Sequence, residues 1–166
     1  MSLKVLILMG SDSDWPVMEK VCDGLAGLGV EWEAHVSSAH RTPERTAELV
    51  GGAIGRGFGV VVCGAGMAAH LAGVAAAETT LPVIAVPLAS GPLSGFDALL
   101  ASVQMPPGVP VATVAVNGGH NAAVLAAQIL ATGDAELAAR LVQMKADMAA
   151  KVAAKDEALQ AKIAAK

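Results

Sequence analysis

The run Gly59-Val60-Val61-Val62-Cys63, leading straight into Gly64-Ala65-Gly66-Met67-Ala68-Ala69-His70-Leu71, decides the fold. Its apolar residues follow one another without alternation, so a strand built from them has no polar face and is buried on both sides. A glycine-rich turn follows, and the period then changes to a helical one over residues 68–79. Residues 82–86 and 110–116 are two more valine-rich apolar runs, followed by helical patterns at 94–104 and 118–132. The beginning of the chain repeats the unit. Residues 4–9 are a short apolar run and residues 10–14 a turn-rich loop. Val17, Met18, Val21, Cys22, Leu25 and Leu28 then recur at helical spacing up to Gly29. Residues 31–36 alternate, with Trp32, Ala34 and Val36 on one face and Glu31, Glu33 and His35 on the other, as in a strand near a sheet edge with one wet face. A helix follows from Pro43 to about Arg56. Five strands alternating with helices predict a single doubly wound α/β domain of flavodoxin-like or Rossmann-like type, a three-layer sandwich around a parallel sheet.

Composition narrows the function. The 166 residues suit one domain. The chain is 54% hydrophobic but only 2% aromatic; 35 alanines and 18 glycines fill the gap. Its 42 valines, leucines and isoleucines exclude disorder. A net charge of −4 argues against nucleic acid as a partner, which calls for a basic stripe. Charges make up 16% of residues, and between Gly57 and Gly133 the only ones are Glu78 and Asp97. A membrane span is a poor reading of residues 57–77: they hold five glycines and His70, and they change from a strand-like to a helix-like pattern midway. Burial on both faces, with small side chains that allow close approach, points instead to helix packing and to subunit contacts in a homo-oligomer.

The rest of the chain adds compartment and shape. The start, MSLKVLILMG, has one lysine and no A-x-A site, so no signal peptide is expected. Cys22 and Cys63 are too few for a disulfide framework, which fits a reducing cytoplasm. Residues 134–166 have no glycine or proline. They place Leu137, Leu141, Met144, Met148, Val152, Leu159 and Ile163 in one stripe, which predicts a long terminal helix whose outer part packs on a neighbouring subunit. The expected division is residues 1–133 as the catalytic unit and 134–166 as that helix.

In a doubly wound sheet, ligands bind beyond the carboxyl ends of the strands, so the loops there carry the candidate chemistry. Gly10-Ser11-Asp12-Ser13-Asp14, before Trp15-Pro16, offers hydroxyls and helix-start amides to an anion or sugar. A bare helix cap needs only Asp14 or Ser13. Ser37-Ser38-Ala39-His40-Arg41-Thr42-Pro43 pairs a phosphate fork, Arg41, with a proton-transfer group, His40; Thr42 alone serves to cap the helix starting at Pro43. Residues 64–69 match a loose G-x-G-x-x-A pattern, but the carboxylate a dinucleotide ribose needs about 20 residues later is missing. His70 falls in the first turn of the next helix, a place that suits a ligand contact or a structural one. Residues 89–95 are small and flexible enough to close over a ligand, with Ser94 as the ordinary cap. Asn117-Gly118-Gly119-His120-Asn121 allows another close approach, with His120 ranked below His40. The histidines have no metal-ligand spacing.

Three of these loops, Gly10-Ser11-x-Ser13-Asp14, Ser38-Ala39-His40-Arg41-Thr42-Pro43 and Gly64-Ala65-Gly66-x-Ala68-Ala69-His70-Leu71, resemble the signatures of the PurE family, the N5-carboxyaminoimidazole ribonucleotide mutases of purine biosynthesis (class I). Val103-Gln104-Met105-Pro106 and Asn121-Ala122 are similar too, and the resemblance runs from residue 4 to about 132. Met67 stands where the family often has glycine, and Ala72 where it often has proline. The resemblance implies an octamer of flavodoxin-like subunits with active sites at subunit contacts and no metal or organic cofactor. The carboxylate would move from the exocyclic nitrogen to ring carbon C4 through CO2 held on the enzyme. It implies His40 as the acid and base, Asp14 on the ribose hydroxyls, and Ser11, Ser13 and Arg41 around the phosphate. Ser38, Gly66, His70 and Leu71 would complete the pocket. The Ala68-Ala69-His70-Leu71 stretch favours the mutase over a related carboxylase using free CO2. A non-catalytic nucleotide- or flavin-binding module is the alternative of another class, and the loops are poor in aromatics to stack on a flavin.

Overall fold

A computed structural model describes residues 3–166; Met1 and Ser2, with which the stretch read for a leader begins, lie outside the described residues. Five parallel strands, β1 (Lys4–Met9), β2 (Trp32–Val36), β3 (Phe58–Gly66), β4 (Val83–Leu88) and β5 (Ala112–Thr113), form one sheet in the order β2-β1-β3-β4-β5. That order is flavodoxin-like, and its direction reverses between β1 and β3. Helices α1 (Trp15–Gly27), α2 (Pro43–Gly51), α3 (Leu71–Glu78), α4 (Phe96–Val103), α5 (Gly119–Ala131) and α6 (Ala135–Ala164) complete the chain. The expected strand–helix alternation is present throughout.

Alternate residues of the central strands feed two cores. Val5, Ile7, Val60, Val62, Ile84 and Val86 point to one side, under α1, α5 and the start of α6. Leu6, Leu8, Val61, Cys63 and Ala85 point to the other, under α2 and α3. The charge-free run around residue 60 is thus a strand covered on both faces, and among the described residues no helix is long and apolar enough to cross a membrane. Both cysteines are buried and unbonded; burial pushes the thiol of Cys63 up to about 12 and that of Cys22 up to about 11. Small residues let α1 and α5 approach closely. A Cβ added at Gly24 would lie 2.7 Å from Ala123 Cβ, and one at Gly119 would lie 2.4 Å from the Val17 carbonyl oxygen.

Four expectations are corrected. The helix from Pro43 ends at Gly51, and a short 3-10 turn at Ile54–Arg56 replaces its last turn, after two consecutive glycines. The last strand keeps two residues of the seven expected. Pro87 accepts a bond from the Asn117 amide on that side but has no amide proton to give back, so the ladder breaks there. The α4 helix begins after Gly95, at φ +88°, rather than at Ser94. On the edge strand β2, the face expected to be wet is half covered. Glu33 takes hydrogen bonds from Lys4 and Arg56, both of which lie over the Phe58 ring, and this lowers its carboxyl below the usual range. His35 Nε2 is shielded there, 3.6 Å from Glu33 Oε2, while Trp32 and Val36 on the apolar face are exposed.

The α6 helix runs 30 residues, about 45 Å. Asp134 caps it by accepting from the Leu137 amide at 2.9 Å. Leu137 and Leu141 are buried on the domain, whereas Met148, Val152, Leu159 and Ile163 of the same stripe are exposed.

Candidate active site

All five strands point the same way, so the loops after β1, β2, β3 and β4 gather at one end of the sheet, around the β1–β3 switch. They enclose a cleft of about 390 Å3. One wall is polar, with Ser11, Ser13, Asp14, Ser38, His40 and Arg41; the other is small and apolar, with Ala65, Gly66, Met67, Ala68 and Leu71, and Ser90 closes the far side. A second hollow of about 360 Å3 adjoins it and shares Gly10, Ser11, Ser38 and Arg41. Two larger depressions of about 480 Å3 lie elsewhere. One is lined by Glu31, Asp134 and Glu136, the other by α1, α5 and α6. His120 lines the latter and not the cleft. Among the described residues no group of three or more His, Cys, Asp or Glu is placed to hold a metal ion.

The β1 loop holds itself in shape. Ser11 caps a short 3-10 turn, Asp12–Asp14, that precedes α1: its Oγ accepts from the Ser13 amide at 3.3 Å and from the Ser13 hydroxyl at 2.9 Å, while Asp14 holds the N-cap position of α1 without a side-chain bond to that helix. Asp14 Oδ2 in turn accepts from the Ser11 amide at 3.0 Å, closing a reciprocal capping box. Burial raises the Asp14 carboxyl above its ordinary value, and the Ser11 and Gly10 amides offset part of that rise.

The β2 loop is tied to the β1 loop through Arg41. Its Nη2 donates to the Gly10 carbonyl at 2.9 Å and its Nε to Ser38 Oγ at 3.3 Å, leaving the rest of the guanidinium toward the two hollows. Thr42 makes no side-chain cap on α2. Its hydroxyl accepts from the Ser38 amide at 3.0 Å and donates to the Ser38 carbonyl at 3.1 Å, closing the loop that carries His40. Beneath that loop, Ser37 and Thr46 are buried and their hydroxyls lie 2.8 Å apart.

Thirty positions separate His40 from His70, yet His40 Nε2 and His70 Nδ1 are 2.8 Å apart and the rings meet edge to face. One ring must therefore hold the proton and the other the lone pair. His70 is the residue just before α3, which starts at Leu71, three residues later than the expected start at Ala68, so His70 lies outside the first turn; Leu71 is buried. Gly66 packs tightly on the β4 loop: a Cβ there would stand 1.8 Å from Ser90 Oγ and 3.0 Å from Ser90 Cβ, so a larger residue would have to displace the Ser90 side chain. Asn117, at φ +57°, fastens the β4 loop by accepting from the Ala89 amide at 2.9 Å. Every sequence-predicted site residue thus lines the cleft except His70, which reaches it through His40. Met67 and Ser90 line it as well. Ser90 belongs to the loop expected to close; nothing in the local pattern marks Met67.

A family model, AIR carboxylase, matches residues 4–151. The chain belongs to the AIR carboxylase family. Relatives named N5-carboxyaminoimidazole ribonucleotide mutase include the Brucella melitensis protein, 53% identical over 143 residues, covering 85% of this chain and 88% of the relative. The Mycobacterium tuberculosis protein of that name is 50% identical over 157 residues, covering 95% and 90%. The fold of this AIR carboxylase family member is similar to that of Treponema denticola PurE, with a TM-score of 0.85 at 32% identity over 93% of this chain and 97% of that one. The resemblance seen in the loops is therefore borne out at the level of family and fold.

Proposed function

We propose that the chain is an N5-carboxyaminoimidazole ribonucleotide (N5-CAIR) mutase of purine biosynthesis, an isomerase that moves a carboxylate from the exocyclic nitrogen to C4 of the aminoimidazole. The observation that carries the reading is one cleft combining an Arg–serine anion cradle, a half-buried carboxylate and a paired histidine, in a chain whose half-identical relatives bear that name. Arg41, with Ser11 and Ser13, takes the ribose phosphate, Arg41 being shared by both hollows. Asp14 takes the ribose hydroxyls. Ser38, Gly66, His70 and Leu71 shape the pocket around the imidazole.

The chemistry is an exchange of one proton for one carboxylate. His40 gives a proton to the exocyclic nitrogen as the N–C bond breaks and its electron pair stays on nitrogen, leaving the aminoimidazole (AIR) and CO2. C4 then attacks the CO2 carbon, and the C4 proton returns to His40, giving 4-carboxy-5-aminoimidazole ribonucleotide (CAIR). An imidazole can act as acid and then as base within one cycle, so a single side chain serves both steps. Substrate entering the cleft competes for the His40–His70 bond, and His70 sets which nitrogen of His40 starts with the proton. His40→Asn should lose at least about 10²-fold in rate while still binding the nucleotide; retained turnover removes His40 from the role. Comparing turnover of N5-CAIR with that of AIR plus high bicarbonate tests the reaction itself: faster use of the second pair assigns a carboxylase instead.

The same reading takes residues 1–133 as the catalytic unit of a cytoplasmic homo-oligomer, an octamer, with the outer half of α6 on a neighbouring subunit. Phe96, Leu100 and Val103 support it by forming an uncovered stripe on α4, as do the exposed residues of α6. Light scattering reads the mass directly, and a monomer overturns the assembly.

A further inference from the structure

Each serine hydroxyl of the β1 loop has one proton to give. Ser11 Oγ lies 3.1 Å from Asp12 Oδ1, and a carboxylate oxygen only accepts, so the Ser11 proton goes to Asp12. The 2.9 Å contact between the two hydroxyls is then made by the Ser13 proton, which goes to Ser11 Oγ. Both protons are spent inside the loop, and the chain they form ends on Asp12. A phosphate dianion offers acceptors alone, so it must take both protons over before Ser11 and Ser13 hold it. Charge runs the same way. The ionisable side chains lining the cleft and the adjoining hollow are Asp12, Asp14, His40 and Arg41, and Arg41 is the permanent cation among them. Asp12 is exposed, forms no ion pair among the described residues, and lies near enough to Asp14 to push that carboxyl up.

We propose that Asp12 is a positioning residue that weakens the hold of the β1 loop on the substrate phosphate, by keeping the Ser11 and Ser13 protons and by repelling the dianion. It acts through the two serines and not on a reacting atom. The inference rests on the mutase reading above. The phosphate takes no part in the carboxylate transfer and is the same group in N5-CAIR, AIR and CAIR. An interaction with it changes the binding of all three alike, and so sets KM and product release rather than the chemical step. One guanidinium with two uncommitted hydroxyls would hold every phosphorylated species in the cleft, the product included. A carboxylate at the rim of that cradle eases the product out.

The test measures binding of ribose 5-phosphate and of inorganic phosphate by calorimetry, and turnover of N5-CAIR, at low and at high salt. Asp12→Asn keeps an acceptor for the Ser11 proton and removes the charge; Asp12→Ala removes both. Asp12→Asn should bind the two probes about two- to fivefold more tightly than wild type at low salt, the scale of one exposed charge pair, and Asp12→Ala at least as tightly. The gain should shrink near about 1 M salt, where screening acts within about 3 Å. KM for N5-CAIR should fall by the same factor, with no rise in kcat. Asp12→Glu keeps the charge and should bind like wild type. A merely structural Asp12 gives the opposite result, weaker binding in a loosened loop, and a melting temperature for each variant identifies that case. Asp12→Asn and Asp12→Ala proteins that bind the probes no more tightly than wild type overturn the role of Asp12 and leave the mutase reading standing. A wild type that makes no CAIR from N5-CAIR overturns the mutase reading, while the calorimetry still decides for or against Asp12.

Discussion

Replacing Thr46 by valine tests whether the loop carrying His40 is held from below by a directed hydrogen-bond chain. Thr46 Oγ1 lies 3.3 Å from the Thr42 carbonyl, and a carbonyl cannot donate, so Thr46 spends its one proton there. The 2.8 Å contact with Ser37 must then run from the Ser37 hydroxyl to Thr46 Oγ1. Neither side chain reaches solvent: Thr46 is 0% and Ser37 1% exposed. Valine fills nearly the same space but leaves the Ser37 proton without an acceptor, a loss of about 1–3 kcal/mol. The added methyl returns up to about 0.8 kcal/mol, so the net is roughly 1–2 kcal/mol. For a chain of this length that lowers the melting temperature by about 2–8 °C, measured at fixed protein concentration because assembly shifts it too. The chain is asymmetric, so Ser37→Ala should cost less, since Thr46 keeps its own donation. Ser37→Ala with Thr46→Val should recover part of what Thr46→Val loses, because no buried proton is then stranded. Calorimetry or a thermal melt of the four proteins decides it. A neutral Thr46→Val, or a double variant that loses the sum of both singles, refutes the directed chain.

Two further outcomes follow from the same loops. Burial raises the Asp14 carboxyl in the folded protein, so its contribution to stability is fully present below its ordinary value of 3.8 and is lost as pH rises through the raised native value. Asp14→Asn should therefore gain on wild type in melting temperature as pH is raised from about 4 to about 7, while its KM for the nucleotide rises; a variant that instead loses ground to wild type as pH rises contradicts the burial. Gly64→Ala would place a Cβ 2.2 Å from Sδ of the fully buried Met18. Since the buried Met18 side chain must move to make room in a packed core, the cost should be about 1–3 kcal/mol, visible in the melt, and an unchanged melt counts against such tight packing.

What could be read in advance was what local pattern controls. Residues 4–9 form β1 as expected, and the loops rich in glycine, serine, histidine and arginine all fall at one end of the sheet because parallel strands leave them no other place. Contacts set by register across distant segments were not legible. His40 meets His70 because β1 lies between β2 and β3 and the loops beyond them converge, which no spacing in the chain encodes. The Ser37–Thr46 pair looks in sequence like a polar residue near a loop and another on a helix face. The last strand read well as a run of apolar residues and failed for a reason outside it, the missing amide of Pro87 on its neighbour.

The abundance of glycine and alanine also divides differently from what composition alone suggests. A good part of it serves the inside of one chain. Gly24 and Gly119 bring α1 against α5, Gly59 lies where a Cβ would meet Leu130 at 2.6 Å, and Gly64 makes room for Met18 beneath the cleft. These approaches explain how a domain with 2% aromatic residues still buries both faces of its sheet: helices come close enough that alanines such as Ala122, Ala123, Ala126 and Ala127 fill the space larger side chains usually take. Small residues inside cannot account for the large ones left outside. Phe96 is 62% exposed on α4, in the middle of the charge-poor span, and the outer stripe of α6 is uncovered as well. Scattered exposed apolar residues need no explanation, but residues 96, 100 and 103 share one helix face beside the loop that closes the cleft. The absence of charge there is thus a property of a surface rather than of the core, and burying it against a second copy would build on the same loops that hold His40 and Met67.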